Sequence, residues 1–564
     1  MRARFPRILW ASISAELWRL LAVTTAALVT VIAFAAAVKP LADGQIGLGD
    51  TLRLMGLLVI PMLQYAIPFA ACFASTMCYH RLGVDNEYQA ATASGIRHRV
   101  LLVPAAMCGA VLALALIVLT SEVIPHSLRA AERIVTRDIG RLIETSVGRG
   151  QTIRLGEFDI RAKEIAALPA EASGGAVRAF ALFHVLAARA DRAGRVNYFV
   201  SADRVDVRLF AERSGEEEPS SVQLIFHNAT GKGAEGAFQG ETVYSHRVRI
   251  PNAFREDPKF LPTAELLSVW KRPELLRSID ERRRRLVARM AEQALLLELN
   301  ERLRGAGTCI LRTEDGRTFT ISGGGLAFDP ERGAWRILGR TEEAPVTLAW
   351  SGRTTGAAGR ELFQRTRAAW IAPPRRPVDD SFAGLEIRME HVVTTGGESP
   401  SDEGERAEIT LRGIMGRTNH AAALDAKSTR ALLASARENT AGLAGDDGRS
   451  ALSMQLDAAA RELRDRIAGL RREILSKLHE RAAYAASCIV MVILGAVMAI
   501  RLKDALPLPV YLWSFGPALV TVISISAGQN MTHNSGTHGL FILWGAVVGL
   551  SLLALLEYRR LCRH

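Results

Sequence analysis

Six apolar runs constrain this 564-residue chain more than any other feature: residues 20–38, 54–78, 100–120, 482–500, 508–527 and 539–556. Each has about the 20 residues a helix needs to cross ~30 Å of hydrocarbon. Hydrocarbon offers the backbone no hydrogen-bond partners, so a crossing segment closes its own bonds as a helix. A buried core helix would account for one such run. Six of them, with Arg or Lys beside most ends, require a bilayer. The Ala35-Ala36-Ala37 stretch also fits a signal-peptide cleavage site. The run before it exceeds the usual core of about 7–15 residues and further spans follow, which favours an uncleaved anchor.

Basic residues set the orientation. With the N-terminus inside, the inner flanks carry Arg2, Arg4, Arg7, Arg19, Arg81, Arg97, Arg99, Arg501, Lys503, Arg559, Arg560 and Arg563. The short outer loops carry Lys39 and Arg53. Cationic flanks resist translocation, so twelve against two places both termini in the cytoplasm and residues 121–480 outside. The formal charge of +12 is this bias plus arginines of the outer region, and no nucleic-acid binding is implied. A charged fraction of 23% excludes a disordered chain, and at about 150 residues per domain the length allows three or four units. Of the six cysteines only Cys309 lies outside the spans and the tail, so no structural disulfide is expected.

The outer region changes character along its length. In residues 151–250, the runs 196–200, 205–209 and 222–226 are rich in β-branched and aromatic residues and are punctuated by Gly and charged clusters. That spacing predicts an antiparallel sandwich or jelly roll. From 263 to about 304 the period becomes helical and includes Glu281-Arg282-Arg283-Arg284-Arg285, which reads as a solvated helix face or as a site for an anion. Residues 307–415 return to strand-like runs such as 318–321 and 407–411, a second small β unit, with a Gly-, Ser- and acid-rich loop at 396–404. A last amphipathic helix at 450–479 carries Leu456, Leu463, Ile467, Leu470, Ile474 and Leu478 as a heptad-like stripe. The two basic helices are expected to pack as a stalk carrying the second β unit.

Motifs for chemistry are missing. There is no Gly-x-x-x-x-Gly-Lys-Ser/Thr loop, and Gly231-Lys232-Gly233 lacks the upstream glycine. No His-Glu-x-x-His or paired Cys-x-x-Cys occurs, and His533 with His538, in an outer loop at 530–538, do not make a closed metal site. Asn530-Met531-Thr532 fits a glycosylation sequon, a three-residue match of low specificity. Catalysis, a cofactor and a bound metal are not expected of this chain.

The inner loop between the second and third runs is richer. Residues 85–94 start with the acidic Asp85 and Glu87, which suit a helix N-terminus, and Gly95 suits its end. Such a helix either docks into a groove on a cytoplasmic partner or lies along the membrane face with no partner.

This loop and its surroundings resemble the lipopolysaccharide-export permease family of the LptF/LptG (YjgP/YjgQ) type. The carriers are the spacing of Pro68, Glu87 and Gly95, and a Glu-x-x-x-x-x-Ala-x-Gly pattern at Glu87, Ala93 and Gly95. Asp43-Gly44, Pro262-Thr263-Ala264-Glu265-Leu266-Leu267 and Leu478-His479-Glu480-Arg481 add to it. The resemblance covers about 1–270 and 474–564. It implies three helices, an outer β-jellyroll and three more helices. It also implies an ABC transporter whose permease subunits sit on a separate ATPase and pass lipopolysaccharide to periplasmic jellyroll bridge proteins. Glu87 then maps onto the acidic residue of a helix that contacts the ATPase, with Asp85, Ala93 and Gly95 completing that element. Lys39 and Arg53 are placed to meet lipid phosphates or to serve as ordinary interfacial anchors. The chain departs from the family at Tyr88 and Ala91, where aliphatic residues are usual, at Pro61, one residue closer to Pro68 than usual, and over 270–475, which add a second domain.

The expected architecture is membrane α-helical, six transmembrane helices as 3+3, with a large extracytoplasmic β-jellyroll-like domain and an inserted α+β region. Residues 1–125 hold the first three helices and the coupling loop 79–100. Residues 126–262 form the jellyroll-like domain, 263–478 the stalk with its β unit, and 479–564 the last three helices. The expected function is that of a permease subunit, partnered by an ATPase, a second permease subunit and periplasmic bridge proteins. The alternative is a membrane-anchored periplasmic scaffold or sensor without transport.

Overall fold

A computed structural model describes residues 7–43, 48–137, 152–155, 158–168, 176, 178–190, 196–210, 221–233, 236–244, 248–249, 257–313, 315–341, 344–350, 362–373, 382, 384–395, 404–441 and 447–563. The chain divides into two compact units, residues 1–270 with 471–564, and residues 271–470.

In the first unit, α1 (Arg7–Asp43) and α2 (Leu48–Val84) are followed by short helices α3 (Glu87–Ala93) and α4 (His98–Leu101). Then come α5 (Val103–Val118), a π-turn at Leu119–Val123, and α6 (Ile124–Arg137). Pro104 explains why the third apolar run does not form one helix from residue 100. Proline lacks an amide hydrogen and suits a helix start, so α4 stops and α5 begins there. After the β region come α7 (Thr263–Lys271), α8 (Arg277–Gly305), α9 (His420–Asp425), α10 (Thr429–Ala441), α11 (Asp447–Arg501), α12 (Pro507–Ser535) and α13 (Gly539–Leu561). Among the described residues, six helices are long and apolar enough to cross a membrane: Arg7–Ile32, Val59–Val84, Val103–Ala131, Leu452–Arg501, Leu508–Ser535 and Gly539–Leu561.

The amphipathic helix at 450–479 leads straight into the span at 482–500, and the two are one 55-residue helix, α11. The charges between them do not break it, because Lys477 pairs with Glu480 at 2.8 Å and Arg481 finds acceptors on another segment. Residues 530–538, expected as a loop, are mostly helix. Thr532 is fully buried in α12 and donates to the Gly528 carbonyl at 2.7 Å, so the Asn530 sequon sits on a packed helix end.

Small residues let the spans approach. A side chain on Gly495 of α11 would meet the Cys72 carbonyl of α2 at 2.7 Å, and one on Gly528 would meet the Gly539 carbonyl at 2.7 Å. Ile13 and Leu17 of α1, Ala70 and Ala74 of α2, Leu112 of α5 and Val492 of α11 fill one core. Buried hydroxyls find carbonyls, Ser75 across to Val492 of α11 and Thr76 to Cys72 of its own helix, as hydrocarbon surroundings require.

The β region of this unit is a curled antiparallel sheet with eight strands among the described residues. The path is β1 (Ile153–Leu155), β2 (Phe158–Arg161), β4 (Arg178–Ala190), β5 (Val196–Phe210), β6 (Ser221–Gly233) and β7 (Gly236–Tyr244). β3 (Glu164–Ala167) pairs with β4, and β8 (Val248–Arg249) with β6. The runs 196–200 and 205–209, read from sequence as two strands, are one. Buried positions go from Phe180 and Leu182 to Val185 and Ala187 on β4, and from Val200 and Ala202 to Val205 and Val207 on β5. On β6 they go from Val222 and Leu224 to Ala229. The parity therefore flips on three neighbouring strands. The flip falls at His184, Asp203 and Asn228, which the register sets opposite one another. His184 (φ 50°) and Asn228 (φ 52°) are left-handed, and Asn228 donates to Asp203 at 3.1 Å. A left-handed residue turns the strand's faces over without ending its pairing.

In the second unit nine antiparallel strands lie, among the described residues, between Thr308 and Ile414. β9 (Thr308–Arg312), β10 (Thr318–Ser322), β13 (Val346–Trp350), β14 (Leu362–Thr366), β16 (Leu385–Thr395) and β17 (Gly404–Ile414) pair in the order 9-10-13-14-16-17. An isolated bridge from Arg312 to Met415 closes them into a ring. β11 (Gly325–Asp329), β12 (Ala334–Leu338) and β15 (Ala368–Ala372) extend the sheet from the other half of β16. Leu295, Leu299 and Leu303 of α8 join Phe319, Leu348 and Ile387 in its core. Residues 396–403 of the expected loop lie outside the described residues. The arginine run on α8 is paired with carboxylates, while Arg284 and Arg285 keep the exposed face the sequence suggests. Arg282 bonds Glu462 of α11 at 3.0 Å, Arg283 bonds Asp425 at 2.7 Å and Arg284 bonds Asp280 at 2.8 Å.

Candidate functional site

The loop singled out by its sequence folds as α2, a two-residue turn, α3 and a second turn into α4. The helix is shorter than the expected 85–94: it runs Glu87–Ala93, with left-handed Asn86 before it and no side-chain cap. Asp85 is therefore in the turn, where Arg81 bonds it at 3.4 Å and reaches Glu16 of α1 at 3.1 Å. The helix end follows the sequence expectation. Gly95 takes φ 83°, its amide bonds the Thr92 carbonyl, and the Ile96 amide bonds the Ala91 carbonyl. This double closure is the arrangement for which a left-handed glycine is favoured.

The helix has two distinct sides. Tyr88 is buried, and Ala91 and Ile96 pack with it against the core of α1, α2, α5 and α11. Glu87, Asp85, Ala93 and Gly95 are exposed, and Glu87 makes no ion pair among the described residues. The two residues noted as departures from the family pattern are thus the ones that anchor the helix. Tyr88 bonds His98 Nδ1 through its hydroxyl, with the rings stacked at 5.7 Å. Burial, then the neighbouring Cys562 and Tyr558, push the Tyr88 phenol above its ordinary range. Tyr79 donates to the Leu101 carbonyl at 2.9 Å and Trp10 to the Val100 carbonyl at 3.0 Å, which ties α4 to α2 and α1. Arg99 donates to the Tyr558 hydroxyl at 3.3 Å. Sequence reasoning passed over Tyr88 with His98, although two ring side chains flanking a glycine turn were a signal available to it.

A second locus joins motifs far apart in sequence. Arg481, last of the Leu478–Arg481 motif, donates to Thr263 Oγ1 at 2.7 Å and to the Leu261 carbonyl at 3.0 Å. Arg129 of α6 bonds Glu265 in the same segment at 3.1 Å. His479 accepts from Trp544 of α13 at 3.1 Å. The side chains of Lys39 and Arg53, and Gly44 of the Asp43-Gly44 pair, lie outside the described residues. Among the described residues no group of His, Cys, Asp and Glu is placed to hold a metal.

A chain with six membrane-length helices, a curled antiparallel sheet and a two-sided helix between its second and third spans is a multi-pass membrane protein. Residues 19–303 match the family described as lipopolysaccharide export system permease LptF/LptG, and the chain belongs to that family. The family is one of transport permeases that work within a lipopolysaccharide export complex. No individual curated relative matches the chain.

Proposed function

We propose that this chain is a permease subunit of an ABC transporter that extracts lipopolysaccharide or a related glycolipid from the inner membrane for export to the outer membrane. The observation that carries the reading is α3, packed through Tyr88 and Ala91 into the helix core while Glu87 faces solvent. A permease without a nucleotide site must import work through an element that moves with its spans and is open to a partner.

In this reading Glu87 contacts a cytoplasmic ABC ATPase, Ala93 leaves room for close approach, Gly95 ends the helix, and Asp85 fixes the turn before it. Both termini are cytoplasmic, and the sheet of residues 153–249 is a periplasmic jellyroll. It takes the acyl chains and passes them to periplasmic bridge proteins. A second permease subunit, identical or a sibling, completes the membrane part. Lys39 and Arg53 meet lipid phosphates at the outer face.

Purification in mild detergent, with mass spectrometry of bound protein and lipid, tests this. The native chain is expected to bring down an ATPase and a glycolipid, and Glu87→Arg to lose the ATPase. Intact export and co-purification by that variant would refute the coupling role. A native chain that never brings down an ATPase would point to a membrane-anchored scaffold or sensor.

A further inference from the structure

The second unit, residues 271–470, holds a cavity that the transport reading does not use. It lies where the six-strand ring closes. The seam there is one backbone bridge, Arg312 and Met415 exchanging amide bonds of 2.9 and 2.8 Å. A ring closed by a single bridge leaves its walls apart beyond that point, and the opening has a volume of about 260 Å³. Its apolar lining is Leu295, Ile310, Phe382 and Met415, and Arg312 and Arg417 stand with them.

We propose that this cavity binds a small anionic amphiphile: an apolar body the size of a short acyl chain or a single ring, bearing one phosphate or carboxylate. Three observations converge on that chemistry. The volume falls just below the ~300–1,000 Å³ usual for small-molecule sites, which sets the size of the body. Among the described residues that line it, none is acidic, and neither Arg312 nor Arg417 has an ion pair. Arg302, Arg332, Arg388 and Arg412 of the same unit each reach a carboxylate, whereas Arg312 and Arg417 bring two unpaired guanidinium groups to one apolar opening. A guanidinium offers an anion two parallel donors, the geometry carboxylate and phosphate accept best.

The frame that carries the arginines is fixed. Arg312 is held on one side by the Met415 bridge and on the other by its register partner Thr318. Arg417 sits on a short segment pinned at both ends. Gly416 passes so close to Leu295 that a side chain there would meet its methyl at 2.7 Å. Asn419 caps α9 by accepting from the Ala422 amide at 3.0 Å, and His420 bonds Glu298 at 2.7 Å. Glu298 is spent on His420 and Arg302, so it does not neutralise the opening. A prearranged frame lowers the ordering cost of binding.

The test uses the full-length protein in phosphatidylcholine nanodiscs, titrated calorimetrically with octyl phosphate, 1-octanol and inorganic phosphate after subtraction of lipid-only discs. Octyl phosphate is expected to bind saturably, one per chain, at least tenfold tighter than either fragment. The double substitution Arg312→Glu with Arg417→Glu should weaken it at least tenfold, while Arg367→Glu, an exposed arginine of the same unit outside the cavity, leaves it unchanged. Both cavity arginines are exposed, so an unchanged melting temperature verifies the fold. Competition from phosphatidylglycerol in the discs would identify a membrane lipid as the source, and its failure to compete would identify a soluble ligand. No saturable octyl phosphate binding, or full binding by the double variant, would overturn the site.

Discussion

Tyr88 and His98 face each other across the Gly95 turn, hydroxyl to Nδ1, with ring planes 15° from parallel. The pair links the inward side of α3 to the start of the next helix, so α3 is fastened from its first turn to the helix that follows its exit. Removing the hydroxyl alone, in Tyr88→Phe, should cost about 0.5–1.5 kcal/mol, and removing the ring, in Tyr88→Ala, about 3–5 kcal/mol. Hydrogen exchange over residues 87–96 reads the difference. Faster exchange in Tyr88→Ala than in Tyr88→Phe is expected, and equal protection in both would show that the ring does not anchor the helix.

The join between the segment after the sheet and the spans rests on two arginines of unequal weight. Arg481 is largely enclosed and satisfies a carbonyl and a hydroxyl, whereas the Arg129–Glu265 pair is half open to solvent. Arg481→Ala should therefore cost about 1.5–3 kcal/mol and Arg129→Ala less than about 1 kcal/mol. Thermal unfolding of the purified protein, with protease cleavage near residue 260, gives the ranking. A larger effect from Arg129→Ala would reverse this account.

Glu292 of α8 gives a pH dependence confined to the second unit. Burial raises its carboxyl above the ordinary range, and Arg289 at 2.9 Å only partly opposes this. A raised folded-state value means that the folded chain holds the proton more tightly than the unfolded chain. The associated stability is fully present below the unfolded value of about 4.3 and is lost as pH rises through the folded value. Glu292→Gln, which mimics the protonated form, should raise the melting temperature at pH 7.5 and change it little at pH 4.5. A shift of the same size at both values would contradict the burial argument.

Legibility followed the physics of each element. The apolar runs were readable because a bilayer demands length and apolarity together, and those show in one dimension. Helix ends were readable where one residue decides them, as Gly95 does. Asp85 misled because an acid near a helix start is favourable whether it lies in the first turn or just before it, and only left-handed Asn86 decides which. The contact between Arg481 and Thr263 was not readable at all. Each segment carries a motif, but nothing local says that residues 218 positions apart are neighbours. The cavity at the ring seam depends on the Arg312–Met415 pairing, which is equally non-local.

The row of His184, Asp203 and Asn228 was hidden because a strand that turns its faces over looks, in sequence, like two strands with a break. Its cost is concentrated at the left-handed residues. An asparagine tolerates that backbone, whereas a residue branched at Cβ meets the following carbonyl and loses roughly 1–2 kcal/mol. His184→Val should destabilise the sheet by at least that amount despite valine's preference for strands, while His184→Gly should be close to neutral. Leu186→Val, two positions on in the same strand and exposed, controls for strand preference. Melting of the sheet followed by limited proteolysis of the full chain separates the three. If His184→Val proves as stable as His184→Gly, position 184 does not need the left-handed backbone, and the turn of the faces must be held by the Asn228–Asp203 bond instead.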